Sequence, residues 1–443
     1  MPFTQDTRVR VPVSELTFGS HLNVFGSMTD YAASKPSKNG AADADYRHNT
    51  HFLTPYFNNM EDSSTAASST ATTSGLSKYK GIETKECPCT TFQEALALLC
   101  RGAGTDPSTS IIVDTRTPKE FKESHVIDAV NTPLMNDQQR HIIGKTYKQE
   151  SKEAAITKGW ELLSPATAIR DFFHQFEQHK TKRIFVYCWR GGMRSRIVVN
   201  LLTMHGFDAV QVTGGFKQYM NEIIWKGLDA FASSFQPRFI VLFGNTGTRK
   251  TEILKKLEAE GLPVIDLEGL AGHKGSVYGG VNSVQKSQKM FSILVYHTLE
   301  SFKDHKYVFV EGESNKIGNV HVPEFIYKKI MQDTWKVLVV ASIATRVKAI
   351  RKEYITTEDS VRQVHEATDS VSIIRNIGQK NVTMLHTMVE AGDYDACTEW
   401  LLVNYYDLRY RYAKEDYSYS LEVSSDDIDQ CCVKMTDFYQ SLV

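Results

Sequence analysis

The sequence predicts two successive α/β units built on parallel sheets, the second ending in a helical C-terminal region and the first preceded by a disordered leader. Three observations predict this. The start is dominated by Ser and Thr, short apolar runs alternate with helical patterns from Thr91 onward, and that alternation begins afresh after Pro237. At 443 residues the chain also exceeds what one hydrophobic core usually organises.

Residues 1–82 carry no sustained apolar periodicity, and nine of the twelve positions from Ser63 to Ser74 are Ser or Thr. Such a composition cannot bury enough apolar surface to offset the entropy of ordering it, so this stretch reads as a disordered leader. The first folded unit is expected over residues 83–236. Ser110–Asp114 is an apolar strand, the stretch after Pro118 a helix, Arg183–Tyr187 a second strand, Ser195–Leu202 a helix and Asp208–Val212 a third strand. Pro237 marks a seam because proline ends the amphipathic helix before it, and the run Arg238–Phe243 opens a second unit over residues 237–443. Its later strands are Pro263–Asp266, Tyr307–Glu311 and Trp335–Ala341, followed by a mostly helical tail to Val443.

Composition excludes several function classes. No stretch approaches the roughly 18 unbroken apolar residues of a membrane span, so no membrane partner is expected. Lys and Arg total 51 against 52 Asp and Glu, and the net charge of -1 exerts no global pull on nucleic acid, so a polyanion must be met by local patches. Seven scattered cysteines do not make a disulfide framework and point to a reducing compartment. The N-terminus lacks the apolar core of a secretory signal, which makes the cytoplasm the expected location. Neither Cys87-Pro-Cys89 nor Cys431-Cys432 has zinc-site spacing, and no metal site is expected from cysteine.

The strongest chemical signal is Cys188-Trp189-Arg190-Gly191-Gly192-Met193-Arg194-Ser195, between a buried strand and a helix. A strand that ends in cysteine and turns through glycines into a helix aims backbone N–H groups and the positive helix end at the sulfur. With Arg190 and Arg194 nearby, that environment favours the thiolate and makes Cys188 the candidate nucleophile. The same residues satisfy Cys-x5-Arg, so a cysteine phosphatase competes with a chalcogen carrier on local grounds.

A second signal follows Phe243. Gly244-Asn-Thr-Gly247-Thr-Arg249-Lys250-Thr251 is nearly G-x-x-x-x-G-K-[ST], a loop whose N–H groups surround phosphate while the lysine reaches the outer phosphates and the threonine can hold Mg2+. Arg249 stands where that pattern has glycine, and its side chain either crowds the phosphate or imposes a different backbone. The loop is therefore either a working phosphate site or a degenerate one. Glu311 and Glu313 close an apolar strand, as acids that orient water or metal do beside such loops.

Residues 110–220 resemble the rhodanese fold, through the Cys188 loop, Asp114-Thr-Arg116, Glu120-Phe121 with His125 to Pro133, and Gly214-Gly215. That resemblance gives Asp114 and Arg116 a structural role. Combined with Leu134-Met-Asn-Asp137, Gly144-Lys-Thr-Tyr147-Lys-Gln149, Asp266-Leu-Glu268, His273-Lys274-Gly-Ser276 and Glu311-Gly-Glu313-Ser-Asn-Lys-Ile-Gly318, the chain from about residue 84 to 443 resembles the bacterial-type tRNA 2-selenouridine synthases. The resemblance implies a rhodanese-like domain followed by a P-loop domain. It implies replacement of the sulfur of wobble 2-thiouridine in tRNA by selenium from selenophosphate, with Cys188 carrying selenium as a selenopersulfide-type species. It also implies a geranyl group from geranyl diphosphate, placed on that sulfur by the second domain, where Asp266, Glu268, His273, Lys274, Glu311 and Glu313 are candidate site residues. Arg249, Lys274 where the family has arginine, and Gly312 and Asn315 depart from the family pattern, and all four bear on the geranyl half.

Basic residues between Lys182 and Arg196, five with no acid among them, and Lys250, Lys255 and Lys256 are candidate contacts to RNA. Two other functions stay open: a thiosulfate-type sulfurtransferase or phosphatase with a vestigial P-loop, and a non-catalytic tRNA- or nucleotide-binding protein. The sequence leaves the oligomeric state open.

Overall fold

The computed structural model describes residues 79, 81–100, 109–163, 171–332, 335–409 and 418–443. Most of the expected leader lies outside the described residues. Its last part does not behave as a leader: Tyr79 and Ile82 are each only 4% exposed and pack in one core cluster with Phe176 and Val198. The Asn200 side chain amide donates to the Ile82 carbonyl at 2.8 Å. The folded part therefore begins before residue 83, because two isolated apolar side chains suffice to anchor a segment whose composition is otherwise polar.

The first sheet has five parallel strands, β1 (Cys89–Thr90), β2 (Ser110–Asp114), β3 (Val130–Asn131), β4 (Arg183–Tyr187) and β5 (Ala209–Val212), in the order β1-β5-β4-β2-β3. Ile184 to Tyr187 are buried, as expected of a central parallel strand covered on both faces. The helical hairpin of α1 (Asp137–Gln149) and α2 (Lys152–Leu163) is inserted between β3 and β4, and α3 (Met193–Met204) follows β4. Asn136 caps α1 and Gln139 reciprocates in a capping box.

The second sheet is also parallel, with β6 (Arg238–Phe243), β7 (Val264–Ile265), β8 (Tyr307–Glu311), β11 (Trp335–Val340) and β12 (Leu421–Ser424) in the order β12-β11-β6-β8-β7. A two-stranded antiparallel hairpin, β9 (Lys316–Ile317) and β10 (Val320–His321), stands apart. Helices α4 (Lys250–Ala259), α5 (Gln288–Phe302), α6 (Ile343–Tyr354) and α7 (Ile428–Leu442) cover this unit. Between α6 and β12, a run of short helices packs around Val364, Ile373, Leu385 and Leu402. The tail is mostly helical as expected, with one short strand, β12, that the sequence pattern did not reveal. Its four residues alternate between core and solvent at the sheet edge, and so short a pattern carries little signal.

The two sheets share a core. Tyr187 of the first sheet and the helical Phe92 and Phe216 beside it belong to the same buried cluster as Phe239 and Val308 of the second sheet and Phe291 of α5. Polar contacts add to it: Tyr219 Oη lies 2.8 Å from His297 Nε2, and Ser287 Oγ donates to the Glu123 carbonyl at 2.6 Å. The motif-bearing loops leave the C-terminal ends of β4 and β6, each an interior strand of its sheet, which is where open α/β sheets form their ligand crevices. Among the described residues, no helix is long and apolar enough to cross a membrane.

Candidate active site

Cys188 directly follows β4 and is only 3% exposed. Its Sγ accepts from the Gly192 backbone N–H and from Ser195 Oγ, both at 3.3 Å. Backbone and hydroxyl donors therefore converge on the sulfur, as the sequence led one to expect of the backbone. The serine was quoted with the loop but given no role. Behind it sits Gln211 of β5, whose amide nitrogen donates to Ser195 Oγ at 2.8 Å and to the Gly191 and Gly192 carbonyls at 3.0 and 2.9 Å. Because the amide occupies an acceptor site on the hydroxyl, the single serine proton is directed to the sulfur or to the Gly192 carbonyl, 3.2 Å away. Gln211 carried no sequence signal, since a buried glutamine in a strand reads as any polar residue.

Glycine is obligatory at two points of this loop. Gly191 has φ +61°, and a Cβ there would sit 2.6 Å from the Gly214 nitrogen; Gly215 has φ +59°, and its Cβ would sit 2.3 Å from the Cys188 carbonyl oxygen. The Gly214-Gly215 turn is thus pressed against the Cys188 loop, and the Phe216 N–H bonds the Cys188 carbonyl at 2.8 Å. Asp114 and Arg116 lie deeper. The arginine donates from Nε and Nη2 to the Asp114 carboxylate, with the shortest contact 2.6 Å, and its guanidinium stacks 3.9 Å from the Phe216 ring centre. That buried pair carries the floor of the loop.

Arg190 and Arg194 part company. Arg190 is exposed at the edge of the cleft. Arg194 also lines the cleft, but its Nη1 donates to Glu120 Oε2 at 2.9 Å, so an incoming anion would have to compete for it. Burial pushes the Glu120 carboxyl up, yet the Arg194 hydrogen bond and charge outweigh this and leave it below the usual range. The cleft beside Cys188 has a volume of about 1070 Å³. Trp189 does not line it and packs tilted against Phe216, with their ring centres 6.0 Å apart.

At the second loop, Gly244 and Gly247 admit the tight turn: a Cβ on Gly244 would meet the Val339 carbonyl at 2.5 Å, and Gly247 has φ +81°. Lys250 Nζ folds back onto the Gly244 carbonyl at 3.1 Å. Arg249 adopts φ +63°, the left-handed conformation that glycine would take. Its guanidinium turns to Glu252, at 2.8 and 3.0 Å, and to the Ser425 carbonyl at 3.0 Å. The backbone thus keeps the turn despite the side chain. Arg249→Ala loses these contacts and keeps the strain, whereas Arg249→Gly loses the contacts and relieves it. Urea denaturation should therefore find the glycine variant the more stable of the two by about 1 kcal/mol.

A cleft of about 510 Å³ opens over this loop, and a smaller, largely apolar cavity of about 60 Å³ adjoins it. Thr246, Ser276, Ile350 and Tyr354 line both.

Residues 237–438 match the tRNA 2-selenouridine synthase AAA domain, and residues 94–222 the Rhodanese-like domain. The tRNA 2-selenouridine synthase of Hydrogenovibrio crunogenus is 31% identical over 72% of this chain and 95% of its own length. This chain belongs to the tRNA 2-selenouridine synthase family. The Cronobacter sakazakii member is 29% identical over 73% of this chain and 90% of its own. The Nitrosomonas europaea member is 34% identical over 56% of this chain, and here the match spans 64% of the relative, just under two thirds.

Family motifs in the second unit converge on a buried acidic group. Glu268 Oε2 accepts from Thr251 Oγ1 at 3.2 Å, and Glu311 accepts from the Glu268 backbone N–H at 2.6 Å. The other Glu311 oxygen is buried with no partner among the described residues. Desolvation, then repulsion from neighbouring carboxylates, raises Glu268 and Glu311 well above the usual range; Asp266 and Glu313 are raised too, chiefly by desolvation. His273 is half-buried and held below its usual value by desolvation. Lys274 lies 4.2 Å from the Tyr354 ring centre and 3.3 Å from Glu353, at the wall of the cleft.

Carboxyls whose folded pKa is raised stabilise the protein fully below the ordinary glutamate range, and that contribution is lost as pH climbs through the raised values. Glu311→Gln should therefore shift the urea midpoint upward at pH 8 and little at pH 4.5. Among the described residues, no three His, Cys, Asp or Glu side chains are arranged to hold a metal ion. The Thr251 hydroxyl and the Glu268 carboxylate fit only a magnesium ion that keeps waters and takes its other oxygens from a bound diphosphate.

Proposed function

We propose that this chain modifies the wobble uridine of tRNA, replacing the sulfur of 2-thiouridine by selenium from selenophosphate, with an S-geranyl nucleoside as intermediate. The observation that carries this reading is the Cys188 sulfur under convergent donors at the end of β4, in a chain of this family. In balance, the selenium of selenophosphate bonds C2 of the uracil as the geranyl thiolate leaves, the Cys188 thiolate takes the phosphoryl group as the P–Se bond breaks, and water releases it as phosphate. The Gly192 N–H and Ser195 hydroxyl stabilise charge on the Cys188 sulfur, and Arg190 draws the anionic donor in. The second loop holds the geranyl diphosphate. Its N–H groups and Lys250 take the diphosphate, and the adjoining apolar cavity supports a substrate with a hydrocarbon part. Magnesium, when bound with that substrate, would neutralise phosphate charge next to Thr251 and Glu268. The reaction is assigned to the cytoplasm.

The test is mass spectrometry of wobble nucleosides from 2-thiouridine tRNA incubated with the full chain, selenophosphate and geranyl diphosphate. Selenouridine and S-geranyl-thiouridine are the expected products, and neither forming would refute the assignment. Lys250→Ala is expected to weaken geranyl diphosphate binding by tenfold or more in calorimetry, since it removes the lysine whose ammonium folds onto the loop. Unchanged affinity would mark the loop as vestigial. The phosphatase reading loses ground on the structure, because the terminal arginine of Cys-x5-Arg is paired with Glu120.

A further inference from the structure

Helix α1 is anomalous. It has 13 residues, and none of its side chains is buried. Its two aliphatic side chains, Ile142 and Ile143, are only half-buried, so a core accounts for little of this helix and another demand must account for its basic face. His141, Lys145 and Lys148 recur at spacings of four and three, which puts them on one face, and Lys152 opens α2 beside them. All four line the 1070 Å³ cleft next to Cys188, together with Arg190 and with Arg140, which is paired with Glu120; among the described residues no Asp or Glu lines it. Lys145, Lys148 and Lys152 have no carboxylate partner among the described residues and are exposed. Trp160 from α2 and the 60% exposed Tyr147 add aromatic surface to the same walls.

We infer that the α1–α2 hairpin is the RNA-binding wall of this protein. Lys145, Lys148 and Lys152 hold the phosphates of an unpaired RNA strand, and the cleft admits one base of that strand to the Cys188 loop. The volume is at the upper limit of small-molecule pockets and far beyond what a single inorganic anion fills, while a row of unpaired cations with neighbouring aromatic rings matches a backbone and its bases. The inference rests on tRNA being the substrate and names where it is held. It adds residues outside the basic run at 182–196, where Arg183 is already paired with Asp208.

The test measures binding of a 2-thiouridine anticodon stem-loop to the full chain across a salt series, with Lys145→Glu/Lys148→Glu, Lys145→Gln/Lys148→Gln and, as control, Lys158→Glu. Lys158 sits on the same hairpin, is paired with Glu161 and does not line the cleft. The glutamate pair should lose affinity by about tenfold or more at 0.1 M salt. The glutamine pair should flatten the slope of log affinity against log salt by about 1.4, the value for two lost contacts to a single strand. The control should bind as the parent does. If the parent binds the stem-loop and both double variants bind it equally well with the same slope, the hairpin is not the wall and the inference falls alone. If the parent binds no tRNA at all, the proposed function falls with it.

Discussion

Cys188→Ser is expected to abolish selenouridine formation, by roughly 10³-fold or more, while tRNA affinity stays as it was. The serine hydroxyl fits the same space and can accept from the Gly192 N–H and Ser195, so the loop survives. What disappears is the thiolate nucleophile; Cys87 reaches this loop only through Gln211, whose Oε1 accepts from the Cys87 Sγ at 3.4 Å, while Cys431 and Cys432 are buried beneath the second sheet and Cys397 in the helical region. The check is single-turnover nucleoside analysis with equal amounts of parent and variant. Retained turnover would mean that selenium is passed from its donor to the uridine without the Cys188 thiolate, and the role assigned to this loop would have to be withdrawn.

Arg116→Ala is expected to cost about 3–5 kcal/mol of stability, seen as a lower urea midpoint of the first unit. Arg116 is 2% exposed and Asp114 fully buried, and removing the guanidinium strands the carboxylate without its partner. The Ser124 carbonyl, which accepts from Arg116 Nη2 at 2.6 Å, is stranded as well. Replacing both members by apolar residues of similar volume should cost much less than the single change, because no charge is then left unpaired in the core. A loss no larger for Arg116→Ala than for the double replacement would show that the pair does not carry the loop floor.

Much of the fold was legible because parallel strands buried on both faces leave unbroken apolar runs. Ser110–Asp114, Arg183–Tyr187, Arg238–Phe243 and Tyr307–Glu311 coincide with their strands for that reason. The strands β1, β3 and β12 were not legible, since two to four residues at a sheet edge make no periodic pattern. The end of the leader was placed late for a related reason, as Tyr79 and Ile82 are single apolar residues in a polar context.

The candidate sites divide in the same way. Cys188 and its glycines, and the glycines and Lys250 of the second loop, stand next to one another in the chain, so their joint chemistry is a local property. The sequence alone thus determined both loops, because a strand, a glycine turn and a helix are specified within a dozen residues. Only the tertiary structure decided that Gln211 orients Ser195, that Glu120 engages Arg194, that Arg249 turns away to Glu252 and Ser425, and that His141, Lys145 and Lys148 flank the Cys188 cleft. Each of these, apart from the local Arg249–Glu252 pair, joins residues far apart in the chain, and hydrogen bonds and charge pairs at such separations come from packing, which no local pattern of residues encodes.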